Sequence, residues 1–156
     1  MEFGPWIRRD SFLRLRERVL AAPEAFESPE AARAYLRNRY ARLPAEAIER
    51  RARFGLVPAA DHRLVWKHER HSIAATLDSL DRDLDELIDA ISVPVMVIHG
   101  SDSAFYDAPA FERLRSARPD FLYREVQGAD HYVHEERPET VVELFLDFAS
   151  AVTRTD

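Results

Sequence analysis

The chain has 156 residues, of which 46% are hydrophobic and 32% charged, with a formal net charge of −6; this is the size and make-up of a soluble globular domain. The acidic balance argues against a nucleic-acid or anionic-membrane surface, either of which needs a basic face. No apolar run approaches the roughly 18 residues that a membrane-spanning helix requires. With no cysteine, disulfides, thiolate catalysis and cysteine-ligated metals are excluded, and no cofactor is expected. Met1-Glu-Phe-Gly-Pro-Trp6 lacks the basic start and apolar h-region of a secretory signal, so the expected location is cytoplasmic.

In chain order, residues 10–91 read as helices with two short breaks. Asp10 or Ser11 can cap a first helix carrying Phe12, Leu15, Val19 and Leu20, which ends before Pro23. Ser28 followed by Pro29 is a strong helix start, a hydroxyl at the N-cap and proline at the first helical position. The helix after it aligns Ala32, Tyr35, Leu36 and Tyr40, with Arg33, Arg37, Arg39, Arg42 and later Arg50 on the other faces. Glutamates interspersed among these arginines predict a solvated surface with i,i+4 pairs. Pro44 opens a third helix through Ile48 and Phe54 that closes near Gly55. A turn at Ala60-Asp61-His62 leads into a short strand-like run, Arg63-Leu-Val-Trp-Lys67. Trp66, Phe54 and Tyr40 are expected in the core of this helical part, the alternative being that they line a substrate pocket. Leu77, Leu80, Leu84, Leu87, Ile88 and Ile91 recur at spacings of three and four and predict a helix over residues 72–91. His62, His68 and His71 lie near one another, but His68-Glu-Arg-His71 lacks the spacing of a zinc-binding His-Glu-x-x-His helix, and no metal site is expected.

After Ser92 the pattern becomes β-α-β-α. Val93-Pro-Val-Met-Val-Ile-His-Gly100 is short and apolar and closes on glycine, then on the polar turn Ser101-Asp102-Ser103. It reads as a parallel strand over residues 93–99, buried on both faces. A helix follows over residues 108–118 and a second strand over residues 121–126. Then comes a loop containing His131, and a last helix from Pro138 with Val141, Leu144, Phe145, Phe148 and Val152 on one face. Strands joined through a helix run parallel in a right-handed crossover. Their C-terminal loops therefore share one edge, where ligands collect in open α/β sheets. Asp102 and His131 are expected to meet there as an acid–histidine pair.

The order strand-His-Gly-Ser-Asp, helix, strand, Gly128-Ala-Asp-His131, then Glu136-Arg-Pro138 before an apolar helix resembles the C-terminal part of the α/β-hydrolase family. The preceding helices resemble that family's lid, including Leu64-Val-Trp66 and the approach to Ile91-Ser-Val-Pro94, and Phe3-Gly4-Pro5 resembles the residues after its sixth core strand. The likeness covers nearly the whole chain. It implies an α/β fold, a partial α/β-hydrolase, with residues 1–92 as a helical lid-like region and residues 93–156 as the C-terminal part of the core. It also implies that His131 acts as general base, with Asp102 or a neighbour as its orienting carboxylate, in serine-type hydrolysis of a small ester or related acyl substrate.

The family places its nucleophilic serine on a Gly-x-Ser-x-Gly elbow before the acid and the histidine. The glycines here stand at 4, 55, 100 and 128, none four apart. The elbow, the oxyanion loop and most of the sheet would lie upstream of Met1. The family's carboxylate usually falls at the positions of Ser103 or Ala104; Asp102 is one place short and Asp107 several places late. Two parallel strands do not make an independently stable sheet. The expectation is therefore a piece or one half of a hydrolase, inactive alone, needing a complementary N-terminal chain or self-association. The alternatives are a non-catalytic binding or assembly protein derived from that fold, and an unrelated small α/β module, which the lack of a glycine-rich phosphate loop disfavours.

Overall fold

A computed structural model describes residues 6–80 and 84–154. Its elements run α1 (Arg9–Leu20), β1 (Ala25–Phe26), α2 (Pro29–Arg39), α3 (Ala45–Gly55), β2 (Leu56–Pro58), β3 (Leu64–Trp66), α4 (Arg70–Ser79), α5 (Asp85–Asp89), β4 (Met96–Gly100), α6 (Ala108–Ala117), β5 (Leu122–Val126), α7 (Val133–Glu136) and α8 (Pro138–Val152). They group into two compact units, Arg9–Asp81 and Met1–Arg8 with Arg82–Asp156. This is an α/β architecture of helices and short sheets. Among the described residues no helix is long and apolar enough to cross a membrane.

In the first unit the N-terminus of α2 forms as the sequence requires, with Ser28 extended (ψ 162°) and its hydroxyl accepting the Ala31 N–H at 3.1 Å. The helix buries Ala32 and Leu36 and turns its arginines outward. Arg33 and Arg37 reach across to Glu49 of α3, at 2.7 and 3.8 Å, and Arg33 also meets Glu30 at 3.4 Å. These three pairs are thus interhelical or i,i+3 rather than the expected i,i+4. β3 is the middle of a three-stranded antiparallel sheet, ordered β1-β3-β2, so two further strands join the one expected. Phe26, Ala32 and Leu56 are buried beneath it, with Tyr35, Leu64 and Trp66 packed against them. Trp66 keeps its indole N–H on the Pro23 carbonyl at 2.8 Å. Phe54 departs from its expected place, being 57% exposed.

α4 packs along α1. The Glu69 carboxylate caps α4 by accepting the N–H groups of His71 and Ser72, which holds its pKa below the usual carboxylate range. The expected helix over 72–91 is instead two, α4 and α5. The chain leaves the helix at Leu80, whose N–H closes a tight turn onto Leu77 at 3.2 Å. Three-and-four leucine spacing persists across that break, and no glycine or proline marks it.

In the second unit β4 and β5 pair in parallel, Met96 opposite Leu122 through Gly100 opposite Val126, and form a two-stranded sheet. β4 starts at Met96 rather than at residue 93, beyond Pro94, which has no N–H to donate. Burial on both faces was expected. Instead only His99 and Gly100 are buried, Met96, Val97 and Ile98 are half-buried, and Val93 is 65% exposed. α8 sets Val141 and Leu144 against the cluster of Val126, Ala129 and Val133. Phe145 does not join them. With Val142 and Leu146 it makes a second apolar stripe at i, i+3 and i+4, exposed at 59, 55 and 56% respectively. The Arg118 guanidinium ties α6 to α5 by donating to the Ile88 and Ile91 carbonyls while paired with Asp120 at 2.7 Å. Trp6 donates its indole N–H to Asp85 at 2.6 Å under the Arg113 guanidinium. Phe3-Gly4-Pro5 lies outside the described residues.

The first unit's stability rests on few fully buried side chains, Leu36 (1% exposed) and Ile48 (2%) being the largest. Leu36→Ala is expected to cost about 2–5 kcal/mol, as large-to-small core changes do. The shift in urea midpoint of that unit's transition measures it.

Candidate active site

The carboxyl ends of β4 and β5 continue as two loops laced together. Beyond the sheet register, the Ser101 N–H donates to the Val126 carbonyl at 3.1 Å and the Asp102 N–H to the Ala129 carbonyl at 2.9 Å. In return the Gly128 N–H donates to the Ser101 hydroxyl oxygen at 2.9 Å. The lacing needs a bare Cα at residue 100, because a Cβ there would stand 2.5 and 2.6 Å from the Ala129 and Asp130 carbonyl oxygens. Gly128 turns through the left-handed region (φ +68°), which favours glycine. The loop bearing Asp102 and the loop bearing His131 thus run side by side at one sheet edge, as the parallel topology predicts.

His131 is half-buried, with Nδ1 buried. Its ring rests between Phe105 of the β4 loop, 4.7 Å between centroids, and Tyr132, 4.8 Å. Its backbone N–H donates to the Asp130 carboxylate at 2.7 Å. Asp102 is exposed, and its carboxylate accepts the Ser101 hydroxyl at 3.0 Å. The two nearest alternatives to it in the sequence pattern have structural tasks. The Ser103 side-chain oxygen is buried and accepts the Tyr106 N–H at 3.3 Å, and Asp107 caps α6 by accepting the Ala110 N–H at 3.1 Å. His99, 3% exposed, stacks on Phe111 at 4.3 Å and hydrogen-bonds through Nε2 to the Tyr106 carbonyl at 2.9 Å. A carbonyl only accepts, so Nε2 carries the proton. His99 braces the acid loop from below.

His134-Glu135-Glu136 lies in the short helix α7, and Glu136 is 7% exposed. Both Glu136 carboxylate oxygens accept the Asp130 N–H, at 3.3 and 3.1 Å, so Glu136 fixes the turn that carries His131. A carboxylate directly before Arg-Pro and an apolar helix is the available sequence signal, but only the tertiary fold shows it to be buried.

The first unit carries the concentrated cations. Arg39 and Arg51 place their guanidiniums over the Tyr40 ring, at 5.5 and 4.1 Å from its centroid, and all three are half-buried. The histidines of this unit are spread over unlike tasks. His62 holds a left-handed turn (φ 67°), His68 stacks on Trp66 at 5.3 Å, and His71 gives its N–H to Glu69. Among the described residues no group of three or more His, Cys, Asp or Glu is placed to hold a metal ion.

A sequence model of the alpha/beta hydrolase family matches residues 4–144. The 2-(acetamidomethylene)succinate hydrolase of Mesorhizobium japonicum is 34% identical over 151 residues, which are 97% of this chain and 54% of that protein. A crystal structure of E-2-(acetamidomethylene)succinate hydrolase superposes with a TM-score of 0.91 at 33% identity, covering 96% of this chain and 56% of that one. A Mycobacterium tuberculosis esterase shares the fold at a TM-score of 0.70 and 17% identity, covering 94% and 52% of the two chains. The chain spans about half the length of these relatives.

Gly100→Ala is expected to push the two loops apart, since the atoms it meets are backbone. The cost should reach at least the roughly 1–3 kcal/mol of overpacking. The same substitution should move the His131 ring resonances in an NMR spectrum. A variant of unchanged midpoint and unchanged His131 shifts would show that the lacing tolerates a methyl group.

Proposed function

We propose that this chain, which belongs to the alpha/beta hydrolase family, supplies the lid and the histidine–acid edge of a hydrolase whose nucleophile is carried on a complementary N-terminal part. The observation that carries this reading is the lacing of the Asp102 and His131 loops at the carboxyl edge of β4 and β5. In the scheme, His131 takes the proton of a serine hydroxyl as that oxygen attacks the acyl carbon, then returns it to the leaving group. Asp102 stabilises the imidazolium formed in between. Phe105 and Tyr132 fix the imidazole plane, and Glu136, through Asp130, fixes the turn beneath it. The sequence has no Gly-x-Ser-x-Gly elbow, which is why a second part is invoked, and the half-length match to relatives agrees with it.

For the substrate we favour an acyl compound, an acetamide or a small ester, that also bears carboxylates. The M. japonicum relative is named for an acetamido-substituted succinate. The half-buried Arg39 and Arg51, stacked on Tyr40, are cations of the kind that bind carboxylates in planar pairs. The lid helices would shape the pocket and keep water out. A non-catalytic assembly protein is the second reading. It is favoured by the exposed stripe Val142, Phe145 and Leu146, which a complementary chain or a second copy could cover.

The test is to express the chain with the N-terminal half of the M. japonicum relative and assay hydrolysis of 2-(acetamidomethylene)succinate. The chain alone is expected to be inactive and the pair active. His131→Ala and Asp102→Asn are each expected to lower kcat by about 10²–10⁴-fold, the range of a lost acid–base group. A stable pair without hydrolysis, or activity indifferent to His131, would favour the assembly reading.

A further inference from the structure

The first unit contains a half-open groove of about 630 Å³ between α2, α3 and the β2–β3 hairpin. Its floor is apolar: Pro29, Ala32, Leu56, Pro58 and Leu64, with the exposed Phe54 ring as one wall. Its rim is cationic. Glu49 is the acidic residue among the lining side chains, and it is already held by Arg33 at 2.7 Å and Arg37 at 3.8 Å. Arg50 and Arg53 also line the groove, and neither makes an ion pair among the described residues; Arg53 lies over the Phe54 ring, 5.1 Å from its centroid. An apolar trough with two uncompensated guanidiniums at its lip selects for a ligand that is apolar at one end and anionic at the other.

We infer that this groove binds a small organic carboxylate with an apolar body, its carboxylate held by Arg50 and Arg53 and its body lying on the floor beside Phe54. The volume falls within the about 300–1,000 Å³ of small-molecule sites. It is too small for a docked helix, two turns of which occupy on the order of 1,000 Å³. Guanidinium suits a carboxylate through paired N–H donors, and burial of the apolar body contributes the rest. The inference stands on the first unit by itself and does not depend on the hydrolase reading.

Titrating the full chain with octanoate and with 1-octanol, by calorimetry and by amide NMR shifts, tests it. Octanoate is expected to bind at least about fivefold more tightly than octanol and to shift the amides of Ala52, Arg53 and Phe54. R50E/R53E, at two exposed positions, should weaken octanoate at least about tenfold with an unchanged thermal midpoint, and Phe54→Ser should weaken both ligands. Equal affinity for octanol, indifference to R50E/R53E, or shifts confined to other residues would overturn the assignment. So would an acidic amphipathic peptide that binds the groove more tightly than octanoate.

Discussion

The tightest approach at any described glycine is at Gly100, where the carbonyls of Ala129 and Asp130 press into the space a side chain would need. Everything at the sheet edge follows from that approach. Because the Ala129 carbonyl lies over Gly100, it is also within 2.9 Å of the Asp102 N–H, and the acid loop takes its course from the histidine loop. Ala129 itself is fully buried among Val126 and Val133, so the point of contact is anchored in the small core beneath α8. One glycine thus couples packing in that core to the positions of the Asp102 and His131 loops. Neither loop can shift without forfeiting the other's hydrogen bonds.

The same sheet is unusual in how little of it is covered. Parallel strands ordinarily carry helices on both faces and are buried along their length. Here burial is concentrated at His99 and Gly100, the end of β4 where the loops meet, and fades toward Val93. α8 likewise covers one side of the core with Val141 and Leu144 and turns a second apolar stripe outward. On these elements the exposed apolar residues are Val93, ahead of β4, and the Val142, Phe145 and Leu146 stripe of α8. The chain spans about half the length of its relatives.

Much of this was legible in the sequence because the signals were local. A hydroxyl before a proline sets the start of α2, and a short apolar run closing on glycine sets β4. Two strands with a helix between them bring Asp102 and His131 to one edge by chirality and direction alone. What escaped was tertiary or too short to have a period. β1 and β2 have two and three residues and exist only because β3 offers both of its edges. The separation of α4 from α5 is invisible to a leucine pattern that continues in phase through Leu80. Phe145 falls on the flank of the α8 stripe, where periodicity cannot say which flank is covered. Glu136 looks like any loop glutamate until the chain folds its carboxylate onto the Asp130 N–H.

The acidic residues of this edge show how environment, rather than residue type, distributes roles. Asp107 is spent on the first turn of α6, where an N-terminal carboxylate is worth most. Asp130 accepts the His131 amide and Glu136 accepts the Asp130 amide, so these two hold the backbone of the histidine turn. Asp102 is tied to the neighbouring loop through its own N–H, which donates to the Ala129 carbonyl. Its carboxylate meets a hydroxyl at an exposed position on the edge. The backbone thus fixes where Asp102 stands, beside the loop that carries His131.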